Sequence, residues 1–241
     1  MHYSGWMILQ EESIHRVLSQ TLLAGRLAPG TQLVETRLAA VFGVTRERVR
    51  KVLHRLGHER LLEVVPNRGC FVSNPTLAQA REIYDARRIV EGGIVGWLAG
   101  RIGVDQIAAL RAHAEREHAA LQAGDRAQSI RLSGEFHMLL AGFTGSAFVM
   151  RELQELVSRT SMLVAFFEPA ASSECACEEH DEILLALQQG DAARALKAMQ
   201  VHLSLIETRL RPRVGNTAAP DAEAEIARAW AAAQRSDAET A

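Results

Sequence analysis

The stretch GVTRERVRKVLHRL, residues 43–56, decides the fold of the N-terminal part of this chain. Thr45 is a suitable N-cap for a helix that continues to about Glu59 and carries apolar residues along one face. The preceding segment TRLAAVFG, residues 36–43, also has helical periodicity and ends at Gly43. Two helices joined by the short turn FGVT are typical of a helix-turn-helix.

The sequence on either side of this motif predicts a winged version of it. Residues 11–25 place apolar residues at helical spacing and end at Gly25, a plausible C-terminal stop. Downstream, LLEVVPNRGCFV (residues 61–72) favours two short strands separated by a turn at residues 66–69. Helices followed by a terminal hairpin indicate a winged helix-turn-helix.

Positive charge is concentrated in this N-terminal part. The chain as a whole has a formal net charge of −2, yet the 43–56 stretch contains five cations: Arg46, Arg48, Arg50, Lys51 and Arg55. Residues 1–75 contain ten Lys or Arg and six Asp or Glu, a balance of +4. The balance is −5 over residues 76–210 (thirteen against eighteen) and −1 over residues 211–241 (four against five). A basic module joined to an acidic one indicates an anionic partner at one end only.

The rest of the chain predicts an all-helical second domain. Periodicity of 3.6 residues indicates six helices, over residues 77–101, 105–123, 126–143, 146–167, 173–189 and 191–210. The connections are short, which favours an antiparallel bundle. In the AGD and QGD connections, at residues 123–125 and 189–191, the Gly can end one helix and the Asp can cap the next. The fold class is therefore mainly α, with a winged helix-turn-helix domain (1–75), a helical domain (76–210) and an Ala-rich tail (211–241). The tail is expected to be partly disordered, or helical over 221–235 when it has a partner.

Composition excludes several classes of protein. The chain has 241 residues, of which 48% are hydrophobic and 23% charged, so we expect a soluble globular protein. It contains no apolar run of about 18 residues and no leader at its N-terminus, so we expect no membrane partner and a cytoplasmic location. Cys175, Cys177 and His180 could hold a soft metal, but structural zinc needs four ligands, and reduced thiols are the default expectation.

Residues 13–73 resemble the DNA-binding domain of GntR-type bacterial transcription regulators. The resemblance rests on four motifs in order: L-x-PG-x-x-L, LA-x-x-x-GV[ST]R, VR-x-x-L-x-x-L and NRG-x-x-V. One departure is Arg60, which stands where the family commonly has Gly. The resemblance implies a double-stranded DNA operator as partner and a set of contact residues. These are the major-groove readers Arg46 and Arg50, the phosphate or base contacts Thr45 and Arg48, and the wing tip Asn67, Arg68 and Gly69.

Three histidines in the helical half form a candidate metal site. His137, His180 and His202 lie in three different predicted helices, each flanked by apolar residues at helical spacing. Imidazoles from facing helices supply most of the ligands that zinc, nickel or similar divalent transition metals need. The alternative is a polar pocket without metal.

Residues 77–210 resemble the FCD effector-binding domain of the FadR subfamily. The resemblance rests on YDARRIVEGGIVGWLA, E-FH, H-x-x-I-x-x-AL-x-x-GD and a His twenty-two residues after His180. It implies that the three histidines are metal ligands, although Ser133 stands where metal-binding relatives have an Asp ligand. It also implies that Arg87 binds the carboxylate of a small organic acid. An ordinary ion pair with Glu91 is the alternative for that arginine.

The sequence therefore predicts a homodimeric transcription regulator whose affinity for a palindromic operator is controlled by a small carboxylate effector. The family resemblance implies a repressor, because repression relieved by ligand is the commoner mode in that family, whereas the sequence itself does not give the direction of regulation. The alternative from another class is a metal-dependent hydrolase, because a three-His site with an open position can activate water. Against that alternative, the carboxylates near the histidines in sequence, among them Glu135 and Glu179, are expected on solvated faces.

Overall fold

The computed structural model describes residues 3–169, 176–212 and 221–239. It divides into two compact units, Met1–Asn74 with Val214–Ala241, and Pro75–Arg213. In chain order the elements are α1 (Tyr3–Leu23), β1 (Gln32–Leu33), α2 (Glu35–Phe42), α3 (Arg46–His58), β2 (Leu62–Val65), β3 (Gly69–Val72), α4 (Leu77–Leu98), α5 (Val104–Gln122), α6 (Arg126–Phe143), α7 (Ala147–Phe167), α8 (Ala176–Gln188), α9 (Ala192–Arg209) and α10 (Ala222–Glu239).

The first unit is the predicted winged helix-turn-helix. Its core is formed by the apolar faces of α1 and α3, including Ile14, Leu18 and Leu53, which are fully buried. Gly43 ends α2 in a left-handed conformation with φ of 64°, which a residue with a side chain adopts only at a cost. The antiparallel sheet has the strand order β1-β3-β2. The strand β1 was not predicted, because two residues are too few to show an alternating pattern.

Arg60 has a left-handed backbone conformation, which Gly usually adopts at this position of a helix ending. The φ of Arg60 is 59°, in the left-handed region. Its N–H donates to the carbonyl of Gly57, and the N–H of Leu61 donates to the carbonyl of Leu56. This pair of bonds is the Schellman ending of a helix, whose left-handed position is usually Gly. The departure seen in the sequence therefore leaves the turn intact and places a strained Arg in it.

The second unit is the predicted six-helix bundle, α4 to α9. Large fully buried side chains such as Tyr84 and Phe136 form its core. The two predicted Gly-Asp connections are confirmed: Gly124 and Gly190 have φ near 70°, and the following Asp side chains accept hydrogen bonds from the N-termini of α6 and α9. Gly92 lets α4 approach α9 closely, because a Cβ there would lie 2.7 Å from Leu196 Cδ1.

The C-terminal helix α10 packs on the first unit, against α1 and α2. Its Ile226 is fully buried, and Glu223 forms an ion pair with Arg37 of α2 at 3.0 Å. The sequence predicts that this segment belongs to a tail, residues 211–241, separate from both domains. In the structure the helix completes the hydrophobic core of the first unit.

Across the part of the chain that the structure describes, no helix has both the length and the apolar character required to cross a membrane.

Candidate nucleic-acid interface and buried histidine site

A groove between α3 and the wing collects most of the residues predicted to contact DNA. Arg46, Arg50 and His54 extend from α3, and the tip of the β2–β3 hairpin forms the opposite side. Of the seven predicted contact residues, five line this groove: Arg46, Arg50, Asn67, Arg68 and Gly69.

Arg46 is held at the mouth of the groove by a carboxylate. Its Nε lies 2.6 Å from Oε2 of Glu35 in α2, while its side chain stays 65% exposed. An exposed pair of this kind contributes little to stability. Its effect is to orient the guanidinium, whose remaining N–H donors stay available for a base edge or a phosphate. Arg50, one turn further along α3, is also exposed.

The other two predicted residues, Thr45 and Arg48, lie outside the groove. Thr45 is at the N-cap of α3, as predicted, but its side chain makes no capping hydrogen bond. Its exposed hydroxyl lies beside a helix N-terminus, where anions are favoured. Arg48 Nη1 donates to Oε1 of Gln10 in α1 at 2.8 Å, so this guanidinium is directed towards α1.

The wing tip is a tight turn with a fixed shape. The N–H of Arg68 donates to the carbonyl of Val65, and Asn67 at the third position of the turn has φ of 60°. Pro at the second position and Asn at the third suit a turn that requires a left-handed residue. The Gln32 side chain of β1 donates to the carbonyl of Arg68 at 2.9 Å, which ties the tip to the short strand.

The three predicted histidines converge in the interior of the second unit. His137, His180 and His202 come from α6, α8 and α9 and are at most 1% exposed. The Nε2 atom of His202 lies 3.2 Å from the Nε2 atoms of both His137 and His180. Phe136 stacks on the ring of His180 at a centroid distance of 4.1 Å and fixes its orientation.

Each histidine is paired with its own glutamate through the other ring nitrogen. His137 Nδ1 lies 2.5 Å from Glu91, and the Nδ1 atoms of His180 and His202 lie 2.8 Å from Glu117 and Glu179, respectively. A carboxylate at Nδ1 keeps the ring proton on that nitrogen and leaves the Nε2 lone pair free. Glu179 was expected on a solvated face, but its helix turns it towards His202 and leaves it only 11% exposed.

Burial disfavours the protonated form of two of these imidazoles. It lowers the pKa of His137 to about 4, against the opposing attraction of Glu91. Burial also lowers the pKa of His202 well below its usual value, and the neighbouring His180 lowers it further. Burial alone would raise the pKa of Glu91, but Arg87 and His137 outweigh it and lower that pKa to about 2.

The arrangement fits a divalent metal ion. Three Nε2 lone pairs directed at one another repel unless a cation or a proton lies between them. A tetrahedral ion with bonds of about 2.0–2.1 Å to nitrogen holds its ligands about 3.3 Å apart. The observed Nε2 separations of 3.2 Å match that geometry. His137, His180 and His202 would therefore hold the ion, each oriented by a glutamate.

A cavity of about 50 Å³ adjoins the histidines and is lined in part by His137, Ser133 and Arg87. Arg87 is 3% exposed. Its Nε donates a hydrogen bond to Glu91 at 2.5 Å, and its Nη1 donates one to Thr160 at 2.9 Å. Within the described residues its Nη2 has no hydrogen-bond partner. Arg87 therefore forms the ion pair with Glu91, and its Nη2 donor also lines the pocket.

Two further polar groups in the cavity wall were not predicted. The hydroxyl of Tyr84 and Nη1 of Arg209 are buried without a hydrogen-bond partner in the described part of the chain. Unsatisfied buried donors are costly, and an anionic ligand would satisfy them. The sequence offered no signal for Arg209, which ends α9 seven residues after His202. Tyr84, three residues before Arg87 on the same helix, could have been found by its spacing.

Other sequence candidates do not contribute ligands. Ser133, one turn before His137, offers only a neutral hydroxyl to the cavity. Glu135 pairs with Arg131 on the side of α6 away from the site. The side chains of Cys175 and Cys177 lie outside the described residues.

The chain matches two known protein families. The family of bacterial regulatory proteins named gntR matches residues 10–72, and the FCD domain matches residues 82–205, just over half of the chain. The HTH-type transcriptional repressor RspR of Escherichia coli K12 is 25% identical over 201 residues, which is 83% of this chain and 88% of that protein. The Nta operon transcriptional regulator of Aminobacter aminovorans is 28% identical over 184 residues, 74% of this chain and 85% of the other.

A solved structure shares the fold. A putative transcriptional regulator GntR from Rhodococcus sp. RHA1 superposes with a TM-score of 0.68 at 22% identity, over 82% of this chain and 95% of that one. The matched families and relatives are transcription regulators, so the hydrolase alternative is set aside. The chain belongs to the GntR family of bacterial transcription regulators, with an FCD domain following its DNA-binding domain, and it is not an enzyme.

Proposed function

We propose that this regulator is a repressor that reads a palindromic operator as a homodimer and releases it when a small organic acid enters the metal-containing pocket of the FCD domain. The observation that carries the DNA part is the groove in which Arg46 and Arg50 face the wing tip. Arginines near the N-terminus of a recognition helix can make bidentate hydrogen bonds with guanine. We assign base reading to these two residues, phosphate contacts to Thr45 and Arg48, and minor-groove or backbone contacts to Asn67, Arg68 and Gly69.

Gel-shift titration of a fragment from the protein's own promoter tests the DNA part. Arg50→Ala should abolish specific binding, whereas Arg151→Ala should leave it unchanged, because Arg151 is an exposed arginine of the FCD domain. Wild-type affinity should fall steeply with salt, since each neutralised phosphate releases counterions. Absence of any shift at low salt would refute the DNA part.

A homodimer is supported by apolar side chains exposed on two neighbouring helices. Ile89 is 78% exposed and Trp97 46% exposed on α4, and Val201 and Leu205 are about 40% exposed on α9. The helices α4 and α9 pack against each other. One recognition helix reads few base pairs, so two-fold pairing supplies the specificity that an operator needs.

Sedimentation velocity tests the dimer. Ile89→Asp should convert the dimer to a monomer, while Val104→Asp, at an 85% exposed apolar residue at the start of α5, should not. A wild-type protein that sediments as a monomer at micromolar concentration would refute this part of the proposal.

The metal and the effector are supported by the convergence of three buried imidazoles beside a wall with unused donors. Zinc or nickel would supply a Lewis-acidic open position, while Arg87 would bind the effector carboxylate through its fork-shaped guanidinium. The cavity of about 50 Å³ suits a small acid.

Elemental analysis of purified protein tests the metal. His137→Ala should lose it, and His58→Ala, at an exposed histidine of α3, should keep it. Equal metal content in wild type and His137→Ala would reject the site. The effector can then be sought by thermal shift with a panel of small carboxylic acids, because a ligand that binds only the native state raises its stability.

The direction of regulation follows the relative from Escherichia coli, which is named a repressor. An effector can release DNA only if it binds more tightly to the arrangement of the two domains that does not fit the operator. We therefore expect an acid found by thermal shift to weaken the gel shift. The regulator would act in the cytoplasm, where its operator is.

A further inference from the structure

Two of the three histidines are each connected to an arginine in the cavity wall, and a different glutamate makes the connection in each case. One carboxylate oxygen of Glu91 lies 2.5 Å from Nδ1 of His137, and the other accepts a hydrogen bond from Nε of Arg87 at 2.5 Å. Glu91 is 1% exposed, so its contact with His137 and its hydrogen bond with Arg87 are both made in a dry environment, in which electrostatic interactions are strong.

The second connection repeats this arrangement on other helices. One oxygen of Glu179 lies 2.8 Å from Nδ1 of His202, and the other contacts Nη2 of Arg209. In both cases the arginine retains a buried nitrogen without a hydrogen-bond partner among the described residues, Nη2 of Arg87 and Nη1 of Arg209. Both arginines line the same cavity.

The third histidine lacks such a connection. Glu117 lies 2.8 Å from Nδ1 of His180 through one oxygen, and its other oxygen makes no hydrogen bond to the described residues. Glu117 therefore orients its histidine in the same way as the other two glutamates, without contacting an arginine. Glu117 also lines the cavity, so its substitution changes a histidine partner and a charge at the cavity wall but no contact with an arginine, and it is the comparison for the other two glutamates.

The charges of the site favour joint binding of a cation and an anion. Four buried or nearly buried carboxylates surround it, from Glu91, Glu117, Glu168 and Glu179. Three guanidinium groups supply positive charge, those of Arg87, Arg209 and Arg126. Arg126 donates to the carbonyl of Glu168. With the histidines left out of the count, the balance is one negative charge, which repels an anion. A divalent cation changes it to one positive charge, which attracts a monocarboxylate.

From these contacts we infer that Glu91 and Glu179 are positioning residues that couple metal binding to anion binding. Each glutamate fixes a metal-binding imidazole with one oxygen and an anion-binding guanidinium with the other, so either ligand prepares the site for the other. The inference rests on the proposed metal and effector site and adds the connection between its two halves. By linkage, the anion must tighten the metal by the same factor as the metal tightens the anion.

Glutamine substitution separates the two halves. A glutamine side chain has one oxygen and one NH₂ group, so it can replace only one of the two carboxylate oxygens that the histidine and the arginine contact separately. In Glu91→Gln and Glu179→Gln one contact of each pair is lost. In Glu117→Gln the same charge is removed, and the hydrogen bond with His180 can be kept.

The experiment measures the dissociation constant of zinc by competition with a chromophoric chelator in the full-length wild type and the three Gln variants. Each protein is titrated in perchlorate and in acetate, lactate or malonate at constant ionic strength, with protein-free titrations to correct for weak chelation by the acid. The quantity compared is the ratio of zinc dissociation constants without and with the acid. That ratio is insensitive to a purely structural loss of zinc affinity, which affects both conditions alike.

In the wild type at least one acid should tighten zinc about tenfold or more, within the usual range of coupling between sites. Glu117→Gln should weaken zinc itself by about tenfold, as outer-shell changes do, and keep or raise the ratio, since it removes a negative charge from the cavity wall without breaking a contact with an arginine. Glu91→Gln and Glu179→Gln should reduce the ratio to about threefold or less, since the remaining coupling is only the direct attraction between the two ligands.

Equal ratios in all three Gln variants would overturn the assignment, as would a wild-type zinc affinity that none of the acids changes. Wild-type protein that binds no zinc would overturn the metal part of the proposed function as well. Wild-type protein that binds zinc equally tightly with and without each acid would reject only the coupling.

Discussion

The indole ring of Trp230 meets the phenyl ring of Phe42 edge to face, with ring centroids 5.2 Å apart. Phe42 is the last residue of the first helix of the helix-turn-helix, and Trp230 belongs to the C-terminal helix α10. Edge-to-face aromatic pairs add to stability beyond the area they bury. The C-terminal helix is therefore a structural part of the unit that contains the DNA-binding groove, although most of the chain separates the two in sequence.

Removing the anchor of α10 should loosen the DNA-binding unit. Ile226→Ala deletes a fully buried side chain and should cost about 2–4 kcal/mol. Hydrogen exchange followed by mass spectrometry should show faster exchange in α1 and α2 and unchanged exchange in α4 to α9. Arg235→Ala, at an exposed residue of the same helix, is the control. Unchanged protection of α1 and α2 in Ile226→Ala would show that α10 does not stabilise that unit.

Arg60→Gly should stabilise the DNA-binding unit. A left-handed conformation costs a residue with a Cβ about 1–2 kcal/mol, and Gly adopts it freely, although Gly also loses more backbone entropy on folding. We expect a net gain of about 0.5–1 kcal/mol, measured as slower hydrogen exchange in α3. Arg60→Ala keeps the strain and removes only the side chain, so it should give no gain. A destabilised Arg60→Gly would mean that the Arg side chain contributes more than the strain costs.

The metal-free FCD domain should lose stability as the pH falls. In the unfolded chain His137 takes up a proton near its ordinary pKa of 6.5, whereas in the folded protein burial lowers that pKa to about 4. Between these values the unfolded state binds more protons, so the free energy of unfolding decreases on acidification, by up to about 3 kcal/mol. His202 contributes in the same direction because its pKa is also lowered.

The check is the melting temperature of the FCD domain between pH 7.5 and 5 in the presence of a chelator. His137→Gln cannot take up this proton, so its melting temperature should depend less steeply on pH than that of the wild type. Parallel pH profiles for the two proteins would contradict the assignment.

Features that follow a local pattern could be predicted from the sequence, whereas features that depend on tertiary contacts could not. The helix ends at Gly124 and Gly190 and the apolar faces of α4 to α9 could be predicted because spacing and capping are local properties. The convergence of His137, His180 and His202 was predicted from their positions on separate helices. The direction in which the Arg48 side chain points could not be predicted, because it is set by a contact with Gln10 of α1, 38 positions away in the sequence.

The partners of the histidines were missed for the same reason. Glu117 meets His180 across 63 positions of sequence, and no local pattern marks such a pair. Glu179 is adjacent to His180 in sequence yet pairs with His202, because the geometry of α8 and α9 decides which ring it reaches. The packing of α10 could not be predicted because its apolar face is narrow, and a narrow face is sufficient when the helix contacts both α1 and α2.

The serine in place of an expected aspartate gives a direct test of the metal geometry. Ser133 lies one helical turn before His137 and lines the same cavity, so Ser133→Asp would place a carboxylate oxygen beside the three imidazoles. A charged oxygen ligand should tighten zinc by at least about tenfold, equivalent to about 1.4 kcal/mol, measured by chelator competition. The same carboxylate would occupy the open position and repel an anion, so the thermal shift given by small carboxylic acids should shrink. Ser161→Asp puts the same charge into the cavity wall from α7, away from the turn before His137, and should weaken the acids without a comparable gain for zinc. If both variants tighten zinc equally, the gain comes from charge alone and Ser133 has no special place among the ligands.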